Sequence, residues 1–168
     1  MFIDNLIAKD QLGTTGEAFA TFTRKWQKEI LLRLIDNRKG WKVLIVCPGM
    51  GKEIPLVAHM LGDRGEITII DTNPAVLEQI EANKKRRLYT TKSTKNLTMN
   101  GPYKRNVTVP AAVHIQPFDG VSLDFLEDTF DLMWCPLGAN QPLVDEFYRV
   151  VRPGGFVVIG QPHMEMAR

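Results

Sequence analysis

Short apolar runs alternate with amphipathic stretches over most of the chain, and this alternation predicts its secondary structure. Five apolar, largely β-branched runs are predicted to form strands, at 43–46, 67–70, 113–116, 130–134 and 156–159. Apolar residues at helical spacing predict helices over 53–61, from Asn73 to the basic cluster at 84–87, and over 140–151. Apolar strands that alternate with helices indicate an α/β fold with a doubly wound, mostly parallel sheet.

Two further segments lie before this pattern and within it: the N-terminal segment to about residue 37, and residues 88–112. A capping box at 14–17 and apolar residues at Phe19, Phe22, Trp26, Ile30 and Leu34 predict a helix that runs to about residue 37. Within 88–112, short runs on either side of Asn100-Gly101 suggest a small hairpin. We therefore expect a single domain over 1–168, with an N-terminal helical segment (1–38) and a core (39–168).

Composition narrows the class of protein. The 168 residues are 44% hydrophobic and 24% charged, with a net charge of +2, so the whole-molecule charge does not indicate nucleic acid or a membrane. Cys47 and Cys135 have neither metal-ligand spacing nor a disulfide pattern, and the three histidines show no ligand spacing, so no metal site is expected. Without a signal-peptide pattern or a long apolar stretch, the sequence predicts a cytoplasmic protein with no membrane partner.

The strongest chemical signal is a glycine turn between the first strand and its helix. Cys47-Pro48-Gly49-Met50-Gly51 forms this turn, and Asp71 follows twenty residues after Gly51 at the tip of the next strand, where an acid would meet a ribose. A P-loop is excluded because Val46 occupies the position of its first glycine. A dinucleotide fingerprint would place Ile54 where close packing needs glycine. The spacing therefore predicts a different nucleoside cofactor.

From about residue 26 to 160 the chain resembles the class I S-adenosylmethionine-dependent methyltransferase family. The similar segments are the glycine turn with its strand (43–51), Asp71, the segments 118–120 and 123–131, and the helix and turn at 143–155. The resemblance implies a Rossmann-like core with strand order 3-2-1-4-5, here short at its C-terminal end. It also implies S-adenosylmethionine as cofactor and methyl transfer to an unidentified acceptor.

The resemblance assigns cofactor-binding roles to residues at the strand tips. They are Cys47, Pro48, Gly49, Gly51, Asp71, Thr72, Phe118, Asp119, Gly120 and Cys135. Gly49 and Gly51 would let the backbone pass close to the methionine part, Asp71 would accept from the ribose hydroxyls, and Asp119 would accept from the adenine amine. The sulfonium already activates the methyl group, so no catalytic residue is assigned.

Two departures from the family pattern leave alternatives open. Cys47 replaces the first glycine of the motif, and Cys135-Pro136-Leu137-Gly138 stands where amino-group methylating members carry Asn/Asp-Pro-Pro-Tyr/Phe. Cys135 is either a buried packing residue or a nucleophile for pyrimidine chemistry. For the protein, a non-catalytic cofactor-binding or partner-binding module is the second hypothesis, and a nicotinamide-dependent oxidoreductase is the third.

Partners are suggested by two segments. Residues 84–105 carry eight Lys or Arg and no acid, with Tyr89 and Tyr103 between them, which fits either a solvated surface or contact with RNA or another polyanion. The strand at 156–159 would be an apolar sheet edge. Either residues 2–7 cover it or two copies of the chain pair there as a homodimer.

Overall fold

The computed structural model describes residues 28–49, 51–85 and 110–160. Its sheet has the order β3-β2-β1-β4-β5, and each neighbouring pair is parallel. The strands are β1 Lys42–Val46, β2 Glu66–Asp71, β3 Ala112–Pro117, β4 Phe130–Cys135 and β5 Val151–Ile159. The helices are α1 (helical over 28–35), α2 Ile54–Leu61, α3 Pro74–Lys85 and α4 Gln141–Val150. The predicted fold class and strand order are confirmed.

The central strands β1 and β4 bury most of both faces because each face is covered by its own layer. Val43 and Ile45 of β1 pack into one apolar cluster, which also takes in Leu31 and Ile35 of α1 together with residues of α2 and α3. The alternate residues of β1 pack into a second cluster against α4. This alternation follows from the two-residue period of a strand. The carboxyl ends of all five strands meet at one edge, here called the carboxyl edge.

Two helices begin as their sequences predict. The Asn73 side chain accepts a hydrogen bond from the Ala75 N–H at 3.0 Å, and Pro74 is the first residue of α3. At α4, the Asn140 side chain accepts from the Leu143 N–H at 3.1 Å. Both caps lie just beyond strand ends, so they fix where the chain leaves the carboxyl edge.

β5 begins earlier than predicted. The turn expected at 152–155 is instead part of the strand, as a bulge: Phe130 pairs with Val151, and Leu132 then pairs with Phe156. A Cβ at Gly155 would lie 2.7 Å from the Asp131 carbonyl oxygen, so glycine permits this close approach. Among the described residues, β5 pairs with β4 alone, and the predicted dimer through 156–159 stays a prediction.

The predicted N-terminal helix is described only in part. It is helical to residue 35, and its buried residues are Leu31, Leu32 and Ile35, whereas Ile30 and Leu34 are only partly buried. The expected apolar stripe is therefore displaced by one position, and its buried residues belong to the first apolar cluster. The capping box, the hairpin, residues 2–7 and the basic segment beyond residue 85 lie outside the described residues.

Candidate functional site

The turn after β1 depends on left-handed backbone conformations. Cys47, Gly49 and Gly51 have φ angles of 50°, 64° and 63°. The Cys47 N–H still donates to the Ile70 carbonyl at 2.8 Å, so the chain turns away from the sheet immediately after that bond. The Ile54 N–H donates to the Gly51 carbonyl at 3.2 Å and leads into α2. Because a left-handed φ is costly for any residue with a Cβ, Cys47 holds a strained position where the family pattern has glycine.

Gly51 is closely packed by other residues of the protein. A Cβ at this position would lie 2.6 Å from Ile54 Cδ1 and 3.3 Å from Ile80 Cγ1, and both isoleucines are fully buried. The sequence alone suggests that this glycine lets a ligand pass close to the backbone. Packing of the turn between α2 and α3 is a second reason for glycine here. Gly49 is half-buried, while Pro48 is buried in the turn.

Asp71 places a buried carboxylate at the end of β2. Its side chain is only 6% exposed, and Oδ1 accepts from the Asn73 N–H at 2.8 Å. Within the described part of the chain, Oδ2 has no such partner. The Asp71 carbonyl accepts from the Phe118 N–H at 3.0 Å, which joins the ends of β2 and β3. One carboxylate oxygen is thus held in place while the other remains able to accept a hydrogen bond.

Asp119 organises the segment that follows β3. Its Oδ1 accepts from the Val121 and Ser122 N–H groups at 2.8 and 2.9 Å, and Oδ2 accepts from the Ser122 hydroxyl at 3.2 Å. These hydrogen bonds hold the pKa of Asp119 below its ordinary value. A Cβ at Gly120 would lie 3.4 Å from Thr72 Cγ2, so the tips of β2 and β3 lie close together. Asp119 is therefore exposed, and its carboxylate already accepts hydrogen bonds from its own loop.

The two thiols lie at neighbouring strand ends. Burial, followed by the nearby Cys47, raises the pKa of Cys135 to about 12, and its Sγ donates to the Gly138 carbonyl at 3.3 Å. Burial, followed by the Asp71 carboxylate, also raises the pKa of Cys47. A protonated thiol is a poor nucleophile. The geometry favours a packing role for Cys135 over the nucleophile alternative.

An open cleft of about 210 Å³ lies beside the ends of β2 and β3. Its lining residues are Ile70, Gln116, Pro117, Phe118, Asp119, Ser122, Leu123, Asp124 and Phe125. All ten sequence-predicted residues end or follow β1, β2, β3 or β4 at the carboxyl edge, but only Phe118 and Asp119 line this cleft. The sequence does not predict that residues from Ser122 to Phe125 form one wall of this cleft, because no local pattern marks an irregular segment as one side of a cleft.

A charged pair on α4 supports this wall. Arg149 makes two hydrogen bonds of 2.7 Å to the Glu146 carboxylate and also donates to the Leu123 and Phe125 carbonyls, each at 2.8 Å. Glu146 Oε2 accepts from the Leu123 N–H at 3.0 Å. The three-residue spacing of Glu146 and Arg149 on a predicted helix was a signal that could have suggested the pair.

The described ranges contain neither a metal-binding cluster nor a membrane-spanning helix. No group of three or more His, Cys, Asp or Glu side chains in them is arranged to hold a metal ion. None of the helices in those same ranges has the length and apolar character needed to cross a membrane.

The sheet order, the glycine turn after β1 and the acid at the end of β2 match a Rossmann-like fold of the class I S-adenosylmethionine-dependent methyltransferase type. The chain belongs to the ubiE/COQ5 methyltransferase family, whose model matches residues 19–167. S-adenosylmethionine is the cofactor of this class.

Curated relatives agree with this family. A demethylmenaquinone methyltransferase of Geobacillus sp. is 31% identical over 136 residues, which cover 80% of this chain and 50% of the relative. A ubiquinone/menaquinone biosynthesis C-methyltransferase UbiE of Coxiella burnetii is 28% identical over 137 residues, covering 80% of this chain and 48% of the relative. The chain thus spans about half the length of these relatives.

Solved structures support the fold. An S-adenosylmethionine-dependent methyltransferase from Aquifex aeolicus aligns with a TM-score of 0.51 and 16% identity, over 80% of this chain and 68% of the other. A putative sarcosine dimethylglycine methyltransferase from Galdieria sulphuraria aligns with a TM-score of 0.54 and 13% identity, over 84% and 47% of the two chains. At these identities the likeness concerns architecture alone.

Proposed function

We propose that this chain binds S-adenosylmethionine at the carboxyl edge and transfers its methyl group to a ring carbon of a reduced, quinone-type aromatic acceptor. The observation that carries the proposal is the buried Asp71 carboxylate beside the glycine turn, with one oxygen held by Asn73 and the other able to accept. The acceptor class is suggested by the curated relatives, whose names specify menaquinone or ubiquinone methylation.

The described residues fit an adenosyl-amino-acid. Asp71 would accept from the ribose hydroxyls through a charge-assisted hydrogen bond, with Thr72 beside it. The left-handed turn at Cys47 and Gly49 would lie against the amino-acid part. The cleft beside Phe118 and Asp119 would take the adenine. None of these roles requires a chemically reactive side chain.

Methyl transfer requires little covalent participation by the protein. S-adenosylmethionine supplies a methyl group that its sulfonium already activates. The electron-rich ring carbon would form a bond to the methyl carbon as the sulfur–methyl bond breaks, which gives S-adenosylhomocysteine, and the ring carbon would then lose its proton to solvent. The chain's contribution is to align the two reactants and to exclude water, and protonated thiols at Cys47 and Cys135 would not compete for the methyl group.

Binding is tested first, by calorimetry with S-adenosylhomocysteine. Asp71→Asn keeps an acceptor for the Asn73 N–H but loses the charge, and we expect affinity to fall about tenfold or more, the scale of one charged hydrogen bond. Asp63→Asn, at an exposed turn after α2, is the matched control and should bind as the wild type does. Equal affinity of all three proteins would show that the ribose contact is misassigned.

Turnover is tested next, with a reduced naphthoquinone that has one unsubstituted quinone-ring position. We expect the acceptor to gain one methylene unit in mass, with equimolar S-adenosylhomocysteine. Methylation on oxygen instead of carbon would contradict the proposed acceptor atom. Binding without any transfer would favour the second hypothesis, a cofactor-binding module, and no binding of S-adenosylhomocysteine would remove both.

A further inference from the structure

The segment between β3 and β4, residues 118–129, has no regular structure, yet it forms one wall of the cleft. Backbone groups of such a segment need partners. At its start the Asp119 carboxylate accepts from the Val121 and Ser122 N–H groups. Farther along, the Thr129 hydroxyl donates to the Leu126 carbonyl at 2.7 Å, and further partners come from α4.

Three backbone groups of this β3–β4 loop are bound by one pair of side chains. Glu146 accepts from the Leu123 N–H, and Arg149 donates to the carbonyls of Leu123 and Phe125. Near the loop's end, the Asp128 N–H also donates to the Arg149 carbonyl at 3.1 Å. The loop is therefore attached to a single turn of α4 at several points, over sequence separations of 23 to 26 residues for the side-chain bonds.

The pair itself is held rigidly. Glu146 and Arg149 are joined by two parallel hydrogen bonds of 2.7 Å, the geometry that fixes both planar groups together. α4 is anchored by Leu143, Phe147 and Val150, which are buried in the second apolar cluster. The position of the cleft wall is thus set by the core through α4.

We infer that the Glu146–Arg149 pair is a positioning element that holds the β3–β4 loop in its binding conformation before the cofactor arrives. This inference rests on the proposed function, since it assigns the wall to the adenine side of that site. A wall that is already ordered removes the free-energy cost of ordering it during binding. Loss of the pair should therefore weaken cofactor binding and leave the rate at saturation unchanged.

The test compares Glu146→Gln and Arg149→Lys with Arg152→Ala. Glutamine keeps an acceptor but loses the charge, and lysine keeps the charge but cannot reach the carboxylate and both carbonyls together. Arg152 bonds Asp131 near the amino ends of the strands, far from the cleft, so its variant controls for loss of a surface ion pair. For each protein, S-adenosylhomocysteine affinity, KM for S-adenosylmethionine, kcat and hydrogen exchange of the Leu123 amide are measured.

We expect both pair variants to bind S-adenosylhomocysteine at least tenfold more weakly and to have a KM at least tenfold higher, with kcat within twofold of the wild type and faster exchange at Leu123. Arg152→Ala should change none of these by more than twofold. Wild-type affinity in either folded pair variant, or a fall in kcat with unchanged KM, would overturn the inference while the proposed function stands. If the wild type binds no S-adenosylhomocysteine, the proposed function fails and this inference fails with it.

Discussion

Gly51→Ala tests whether the glycine turn is built for the protein as well as for a ligand. The added Cβ would lie 2.6 Å from Ile54 Cδ1 and within 3.4 Å of two atoms of Ile80. Ile54 Cδ1 is the end of a side chain, but Ile54 is fully buried, so something in the core must shift to relieve the contact. The residue would also keep a φ of 63°, in the left-handed region.

Two terms set the expected loss of stability. A left-handed conformation costs a residue with a Cβ about 1–2 kcal/mol. Inserting a methyl group into a packed core costs about 1–3 kcal/mol more. Gly154→Ala is the matched control because Gly154 has a φ of 78° but nothing within 4 Å of its added Cβ. Gly154→Ala should therefore lose only the conformational term, and the difference between the variants measures the packing around Gly51.

The assay is urea unfolding followed by circular dichroism, with the free energy of unfolding obtained by linear extrapolation. We expect Gly51→Ala to be about 1–3 kcal/mol less stable than Gly154→Ala, the packing cost alone. Equal losses would refute the assignment of Gly51 to packing between α2 and α3. The glycine would then have to be explained by ligand approach, as the sequence alone suggested.

Three further predictions concern Cys47, Cys135 and Glu146. Cys47→Gly should leave the free energy of unfolding unchanged or raise it. Relief of the left-handed strain is worth about 1–2 kcal/mol, which exceeds the roughly 0.4–1 kcal/mol by which glycine stabilises the unfolded chain. A clear loss of stability in urea unfolding would contradict this. Since burial raises the pKa of Cys135 to about 12, iodoacetamide at pH 8 should modify it only as the protein unfolds, and rapid labelling of folded protein, detected by mass spectrometry, would be inconsistent with that burial. Hydrogen bonds from Arg149 and Leu123 lower the pKa of Glu146 from 4.5 to about 2. The stabilising effect of Glu146 is therefore complete above pH 4.5 and is lost as the pH falls toward 2. In acid unfolding over that range, Glu146→Gln should lose less stability than the wild type.

Features that depend on local sequence could be predicted well. The apolar strands, the helix starts near Asn73 and Asn140 and the acid at the end of β2 each follow from residues within a few positions of one another. Parallel pairing then brings the strand ends to one edge, so the approximate place of the site could be predicted too.

Features that depend on tertiary contacts could not be predicted. The bulge in β5 forms because the sheet continues past a Pro-Gly-Gly sequence that locally favours a turn. The contact of Gly51 with Ile80 depends on where α3 packs, and the bond from Arg149 to Phe125 joins residues that are 24 positions apart. The cleft wall exists only through such contacts, which explains why the predicted site residues include so few of its members.

The carboxyl edge combines backbone strain with a buried charge, and this combination determines how its variants should behave. Strained conformations persist where surrounding packing enforces them, and they cluster at functional sites. Gly51 belongs both to the packing between two helices and to the turn that would face the cofactor, so Gly51→Ala should lower stability and S-adenosylhomocysteine affinity together. Gly154→Ala should lower stability alone, and Asp71→Asn, which keeps its bond from Asn73, should lower affinity alone. If all three variants lost stability and affinity in the same proportion, the affinity losses would reflect unfolding, and the assignment of Asp71 to the ribose would lose its support.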